Sequence, residues 1–473
     1  MRSNLLTCLL RSGLRSVVRS QHQRVNVEPF RLQPGIVPSW LSPEEAIQKA
    51  GVKSGHKIYV HGGAATPTPL LQCLTDYCRS HQLKNVCLHH VELLGEVPWA
   101  DPDVQDCMRS ECFQISSQLR SAVNEGRADY TPIFFSEIPL LLRHNPKYRS
   151  LDMSIIQVSV PDHQGFCSLG TNVDCTRAAL RCSKHIVGLC NPRMPRAFGD
   201  GMIHESQFHA LVYQDFPLPE IERPSVDERL DTIGLLVAEY LVEDGATIQI
   251  GAGKSPTIVA EKLIDHKHLG VHTEMFSDYI IDLIENNAVT NSYKKVYAGR
   301  VVATLCAGTK KLYEYIDDNP LFLMSAVDYN NDRSVIRQNP KVTSINTCVE
   351  LDLSGQVCSD SVGLTFYSGV ASQIDFMRGA NLCEDGRGRA IYAFPSTTKD
   401  GESKIVPLLK RGAGVTATRG DTNYVVTENG IAELRGRNLR QRAHALIRIA
   451  HPNHQQMLEK SAFDILKTMP SPN

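Results

Sequence analysis

No two of the fourteen cysteines in this 473-residue chain stand at Cys-x-x-Cys spacing; they are scattered from Cys8 to Cys383. Structural zinc modules need close pairs, so the pattern reads as reduced thiols buried in an intracellular protein. An excess of charge is missing too. Fifty Lys and Arg against 51 Asp and Glu leave a net charge of -1, which gives no electrostatic basis for a nucleic-acid or anionic-membrane partner. No apolar run approaches the ~18–20 residues of a membrane span. Two nucleotide-binding signatures each fail for want of a glycine. Gly253-Lys-Ser255 would close a P-loop, but Ile248 stands where its first glycine belongs. Gly251-Ala-Gly253 lacks the third glycine of the dinucleotide fingerprint and a convincing acidic partner at a second strand end. His89, His90, His272 and Glu274 invite a metal reading, but no third ligand follows at a tell-tale spacing, so no metal site is expected.

What remains is an ordinary globular composition, 42% hydrophobic and 21% charged, long enough for two to three domains. Residues 1–27 differ in kind. They carry Arg2, Arg11, Arg15, Arg19 and Arg24 and no acid before Glu28, and Leu5, Leu6, Leu9, Leu10, Leu14 and Val18 can share one helical face. That is the pattern of a mitochondrial transit peptide, so the expected location is the mitochondrial matrix. The folded region is expected to begin near Leu41-Ser-Pro-Glu-Glu45. Pro217-Leu-Pro-Glu-Ile-Glu-Arg-Pro224 reads as part of a linker over 217–229, which separates an N-terminal α/β domain (40–216) from a C-terminal one (230–460).

The two halves resemble each other. Gly55-His-Lys-Ile-Tyr-Val-His-Gly-Gly-Ala-Ala-Thr-Pro67 matches Gly245-Ala-Thr-Ile-Gln-Ile-Gly-Ala-Gly-Lys-Ser-Pro256 with one gap, and His90-Val-Glu92 falls opposite His272-Thr-Glu274. Each copy reads as strand, glycine loop, helix, strand. Thr66 and Ser255 are expected N-caps, and Pro67 and Pro256 first helical residues. A βαβ unit used twice predicts two related α/β domains with mostly parallel sheets. Backbone amides at such a helix start can hold a phosphate or a carbonyl oxygen. A carboxylate at the end of the next apolar run, Glu274, can be aimed at an activated acyl group.

Further stretches agree with one family. They are Val349-Glu-Leu-Asp-Leu-Ser-Gly-Gln-Val357, Tyr367-Ser-Gly-Val-Ala-Ser-Gln-Ile-Asp-Phe376, Val425-Val-Thr-Glu-Asn-Gly-Ile-Ala-Glu-Leu-Arg-Gly436 and Ile449-Ala-His-Pro452, with Pro161-Asp-His-Gln-Gly-Phe-Cys-Ser-Leu-Gly170, Met194-Pro-Arg196 and Gly199-Asp200 in the first half. Together they resemble the acetyl-CoA hydrolase/transferase family, which includes 4-hydroxybutyrate, butyrate and acetate CoA-transferases. The resemblance implies a class I CoA-transferase-like fold with the active site between two domains. It implies Glu274 as nucleophile, the loop Gln249, Ile250, Gly251, Ala252 and Gly253 as a CoA-binding loop, and Val349, Ser372 and Lys399 as further CoA contacts. Gly62 and Gly63 resemble the element that faces the site from the other domain. CoA then enters as substrate, with no other cofactor, and the partners are acyl-CoA and short carboxylates; a homodimer is also implied. Ala371-Ser372 replace a usual Gly-Gly pair, Tyr279 stands where glycine is common, Lys254 where an apolar or small residue is usual, and Gly420 and Asn429 replace a frequent Asn and Tyr. Three readings follow. The first is a transferase moving CoA between a short acyl-CoA and acetate, succinate, butyrate or 4-hydroxybutyrate through a glutamyl-CoA thioester. The second is an acetyl-CoA hydrolase using the same nucleophile. The third is a non-catalytic acyl-CoA-binding protein.

Overall fold

Short strands, most of them buried and several carrying polar side chains, alternate with helices that cross back over the sheet and make those strands parallel. The computed structural model describes residues 32–33 and 35–473, so the transit peptide expected over 1–27 lies outside the described residues. The first half builds an eight-stranded sheet. Its spatial order is Ser39–Trp40, Ala210–Tyr213, Ser183–Cys190, Leu151–Val158, Lys57–Val60, Val86–His90, Met108–Cys112 and Asp129–Tyr130. Every neighbouring pair in it is parallel. The second half builds a six-stranded sheet in the order Gly270–Val271, Thr247–Ile250, Thr343–Asn346, Arg389–Ala393, Tyr424–Thr427 and Gly430–Glu433. Only its last pair, a hairpin, is antiparallel. The α/β class expected from the sequence is the observed one.

The repeat is a repeat of topology. In each sheet the strand that enters the glycine loop has, on one side, the strand that follows the loop's helix. On its other side come four strands, all in chain order in the second sheet and the first three in chain order in the first, where Ser39–Trp40 adds the edge. The helix starts differ from the expected ones. Helix Lys254–Glu261 is capped by Gly253, not Ser255, and helix Thr68–Ser80 by Pro67, not Thr66. Gly253 adopts φ +123°, which a side chain would resist. That turn starts the helix two residues earlier and leaves Pro256 in the first turn, where a missing N–H goes unnoticed.

The halves interlock. Strand Phe198–Gly199 of the first half pairs in parallel with Phe322–Met324 of the second, which pairs in turn with Val301–Ala303. Asn172 bridges Leu305. One buried cluster contains Tyr59 and Phe208 from the first half together with Ile248, Phe276 and Phe322 from the second. Residues 214–227 carry no regular structure, but the proline-rich stretch is seated on the second half. Tyr313 Oη donates to Pro219 O at 2.7 Å, and Arg223 reaches Asp282 at 2.7 Å. Among the described residues no helix is long and apolar enough to cross a membrane.

The interlock makes Gly199 a sensitive point. It sits at φ +117°, and a Cβ there would lie 2.3 Å from Met324 O. Gly199→Ala is therefore expected to cost about 2–4 kcal/mol, the clash adding to the backbone strain. Urea unfolding of the variant measures it; an unchanged midpoint would remove this contact from the account of how the halves hold together.

Candidate active site

The site is built where the strands of the second sheet end. Strand Thr247–Ile250 runs into Gly251, whose amide donates to Ile345 O at 2.8 Å. A Cβ on Gly251 would meet Asn346 Oδ1 at 2.4 Å, so only glycine lets the loop pass that strand. Ala252, Gly253 and Lys254 are exposed at the start of their helix. Gln249 and Ile250 are buried, and the Gln249 side chain is tied up with Ser344 and Asn346. Of the predicted CoA loop, then, 252–253 is exposed, while Gly251 is tied to the next strand and the side chains of Gln249 and Ile250 support the loop from within.

Glu274 leaves the adjoining strand three residues beyond Val271. Thr273 pins that strand to the loop: its Oγ1 donates to Ile250 O at 3.2 Å and accepts from Ile250 N at 3.3 Å. The Glu274 carbonyl accepts from Thr304 N and Leu305 N at 3.0 and 3.1 Å. Its half-buried carboxyl accepts from Asn331 Nδ2 at 3.2 Å and from Ser372. Burial pushes this carboxyl up to about 7; the Ser372 and Asn331 hydrogen bonds act in the opposite sense, and the charges of Asp375 and Glu92 add to the rise. Asp375, 5% exposed, is itself raised to about 7 by burial. Three acids thus face one cleft.

Sequence reasoning singled out Ser372 but missed Asn331, Asp375 and the action of Glu92 on Glu274. Asn331 follows Asn330, whose Nδ2 donates to Thr273 O and to Asn331 Oδ1, both at 2.8 Å. His272 holds Asn330 in turn, Nε2 to the carbonyl at 2.7 Å, and is kept neutral by burial, which lowers it to about 3. His272 and His90 are both buried and satisfied, so neither acts as a ligand here.

From the first half, Glu92 acts on Glu274 through its charge, and the loop Gly62-Gly63 adjoins Glu92. Gly63, at φ +57°, spends its amide on Glu92 O at 2.7 Å, and a Cβ on Gly62 would meet that same oxygen at 2.8 Å. The Gly63 amide is therefore committed, and Gly62 N is the loop donor with no partner among the described residues. Glu92 lies exposed along the cleft yet crowded by protein, which raises it, while Arg120 opposes that rise.

Arg120 also clamps the segment that carries Ser372. Its Nε donates to Tyr367 O at 2.6 Å and its guanidinium lies 3.7 Å from the Tyr367 ring centroid. Asn124 exchanges two hydrogen bonds with Phe366, and Val370 N donates to Tyr130 Oη at 3.0 Å. At the end of this strap Ala371 sits at φ +54°, a conformation suited to the glycine that usually stands there. Val349 is half-buried, Lys399 is exposed at a turn, and Tyr279 is buried with no partner for its hydroxyl among the described residues.

Comparison with known proteins places this geometry in a class. The acetyl-CoA hydrolase/transferase N-terminal domain matches residues 39–233, and the C-terminal domain of the same family matches 308–462. The chain is 49% identical over 446 residues to a succinyl-CoA:acetate/propanoyl-CoA:succinate CoA transferase of Fasciola hepatica, covering 94% of this chain and 92% of that one. A 4-hydroxybutyrate coenzyme A transferase of Clostridium kluyveri is 43% identical over 78% of this chain and 85% of its own. The crystal structure of RipA from Yersinia pestis superposes with a TM-score of 0.84 at 30% identity, covering 91% of this chain and 98% of that one. Acetyl-CoA hydrolases of yeasts also match, at 27% identity or less. The chain belongs to the acetyl-CoA hydrolase/transferase family and is an enzyme.

With Glu274 as the reacting group, kcat/KM is expected to rise with pH through an inflection near 7, because only the ionised form attacks. Glu92→Gln removes a negative neighbour and keeps the shape, so the inflection is expected to move to lower pH. An inflection that stays in place would show that Glu92 does not act on Glu274.

Proposed function

We propose that this enzyme transfers CoA between a short acyl-CoA and a short carboxylate through a glutamyl-CoA thioester on Glu274. The observation that carries this reading is a carboxylate raised by burial, held by Asn331 and Ser372, at the mouth of a glycine loop whose outer amides are exposed. Glu274 attacks the acyl carbonyl and the C–S bond breaks, giving an acyl-glutamyl anhydride and CoA thiolate. The thiolate then attacks the glutamyl carbonyl and expels the first carboxylate. The resulting thioester meets the acceptor acid, and the steps run in reverse.

Each addition places a negative charge on a carbonyl oxygen. The amides of Ala252 and Gly253, on exposed residues, and the unpartnered amide of buried Gly62 are the proposed donors, each worth roughly 3–4 kcal/mol by the measure of other oxyanion holes. Lys399 is a charge suited to a phosphate of CoA. Binding of the distant nucleotide part supports the strained geometry at the reacting centre. Acetyl-CoA as donor, and acetate, succinate, butyrate or 4-hydroxybutyrate as acceptor, fit the names of the relatives. The basic, acid-free segment 1–27 supports a mitochondrial location.

Hydrolysis is the second reading, favoured by the yeast relatives, and needs only that water intercept the anhydride or the thioester. Acetyl-CoA with succinate, propionate, butyrate or 4-hydroxybutyrate, and with no acceptor, separates the two by mass spectrometry of all CoA species. New acyl-CoA marks a transferase; free CoA at one rate with or without acceptor marks a hydrolase. Glu274→Gln is expected to lower turnover by at least about 10³-fold and to abolish the covalent CoA adduct on the intact protein. It is also expected to raise Tm. The folded carboxyl ionises near 7 rather than in the ordinary range, so the native state is penalised as pH rises through about 7. The gain should be small at pH 5 and reach its full size above pH 7. A Gln variant that turns over at the wild-type rate would remove Glu274 from the mechanism.

A further inference from the structure

Three side chains with metal-ligand chemistry converge inside the first sheet. Cys87 and His89 are two apart on strand Val86–His90 and share a face. Glu111 stands across from His89 on the neighbouring strand. Its Oε2 lies 3.6 Å from His89 Nδ1 and 3.8 Å from Cys87 Sγ, and all three ligand atoms lie within 4.8 Å of one another. His89 is fully buried, and among the described residues neither ring nitrogen has a hydrogen-bond partner. A buried polar group left unmatched in this way destabilises the fold unless something else binds it. The adjacent His90 shows the ordinary solution, with Val91 O and Ser110 Oγ on its two nitrogens. The Glu111 carboxylate is divided. Oε1 accepts from Tyr148, Lys147 and Thr131, whereas Oε2 is turned to Cys87 and His89.

We propose that Cys87 Sγ, His89 Nδ1 and Glu111 Oε2 bind one zinc-like divalent transition metal. Bond lengths of about 2.0–2.3 Å around tetrahedral zinc give S···O and N···O edges of roughly 3.5 and 3.3 Å. The two separations to Oε2 exceed these by a few tenths of an ångström, and the Sγ···Nδ1 edge, within 4.8 Å, has to close to roughly 3.5 Å by rotation of the two side chains. On binding, Cys87 releases its thiol proton to solvent as the metal–sulfur bond forms. Thiolate and imidazole select zinc, cobalt or copper over magnesium and calcium.

Lys147 opposes any cation here, since its ammonium donates to Glu111 Oε1 at 2.5 Å, and Lys57, which donates to Lys147 O at 2.7 Å, adds a second positive charge nearby. The Lys147 side chain is 55% exposed and can swing into water, so these charges weaken the site without blocking it. A bound metal would join two neighbouring strands just before the turn that presents Glu92. The sequence pattern hid this set because its third ligand comes from the next strand, not from a close spacing.

The test titrates the EDTA-stripped full chain with Co²⁺ and then Zn²⁺. One equivalent of Co²⁺ is expected to bring up a thiolate-to-cobalt charge-transfer band and intense tetrahedral visible bands, which Zn²⁺ abolishes. Zn²⁺, but not Mg²⁺, is expected to raise Tm. Cys87→Ser should lose the charge-transfer band. A band that survives in Cys87→Ser, or no band at one equivalent of Co²⁺, overturns the proposal. Should Cys87→Ser fail to fold, the wild type decides alone: the absence of a zinc-dependent rise in Tm overturns it.

Discussion

A carboxylate kept out of water is the constraint on which the candidate site depends. Glu274 would lose its reactivity if fully solvated and its charge if fully buried. The structure holds it between these limits. Burial and the charges of Asp375 and Glu92 push its ionisation up to about 7, while Asn331 and Ser372 favour the charged form. The supports are anchored one behind another. His272 holds Asn330, Asn330 holds Thr273 and Asn331, and Thr273 binds the strand end to the glycine loop. A shift anywhere along this series changes both the aim of the carboxylate and its proton affinity.

The two sheets share their strand order around the glycine-loop strand, yet the repeated elements do different work. In the second half the amides of Ala252 and Gly253 stand open at a helix start. In the first half the equivalent Gly63 amide is taken by the Glu92 carbonyl, so that loop is stitched to its own acid. Both glutamates follow the same histidine, and both histidines are locked in hydrogen bonds. Topology therefore brings a glutamate from each half to one cleft. Local hydrogen bonding then makes Glu274 the one aimed by side-chain donors, and leaves Glu92 to act on it through charge.

Much of this was legible in the residues. The strand–glycine–helix–strand order was readable twice because Gly251 has no room for a Cβ and Gly63 takes a left-handed conformation that favours glycine. The parallel sheets followed from that order. The helix caps were misplaced by two residues at Lys254 and by one at Thr68, because Ser and Thr are favoured caps and the tight turn at Gly253 competes with them without leaving a sequence signal. Asn331 and Asp375 were not legible at all. Each reaches Glu274 from a distant segment, and a polar residue that becomes a neighbour only through tertiary folding has no spacing to betray it.

On the proposed mechanism, transfer and hydrolysis share every residue named around Glu274, so the difference between them would lie in what keeps water from the acyl and thioester intermediates. The segment that brings Ser372 to Glu274 belongs to the second half but is fastened to the first, by Arg120, Asn124 and Tyr130. It closes the cleft from the side on which Glu92 stands. Ala371, at φ +54°, ends this segment next to Ser372, and its carbonyl accepts from Phe135 N of the first half. On the proposed mechanism, a strap fastened to both halves slows the loss of an intermediate to water and so favours transfer. The same strap ties specificity to the interlock between the halves, because anything that separates them withdraws Ser372 and opens the site together.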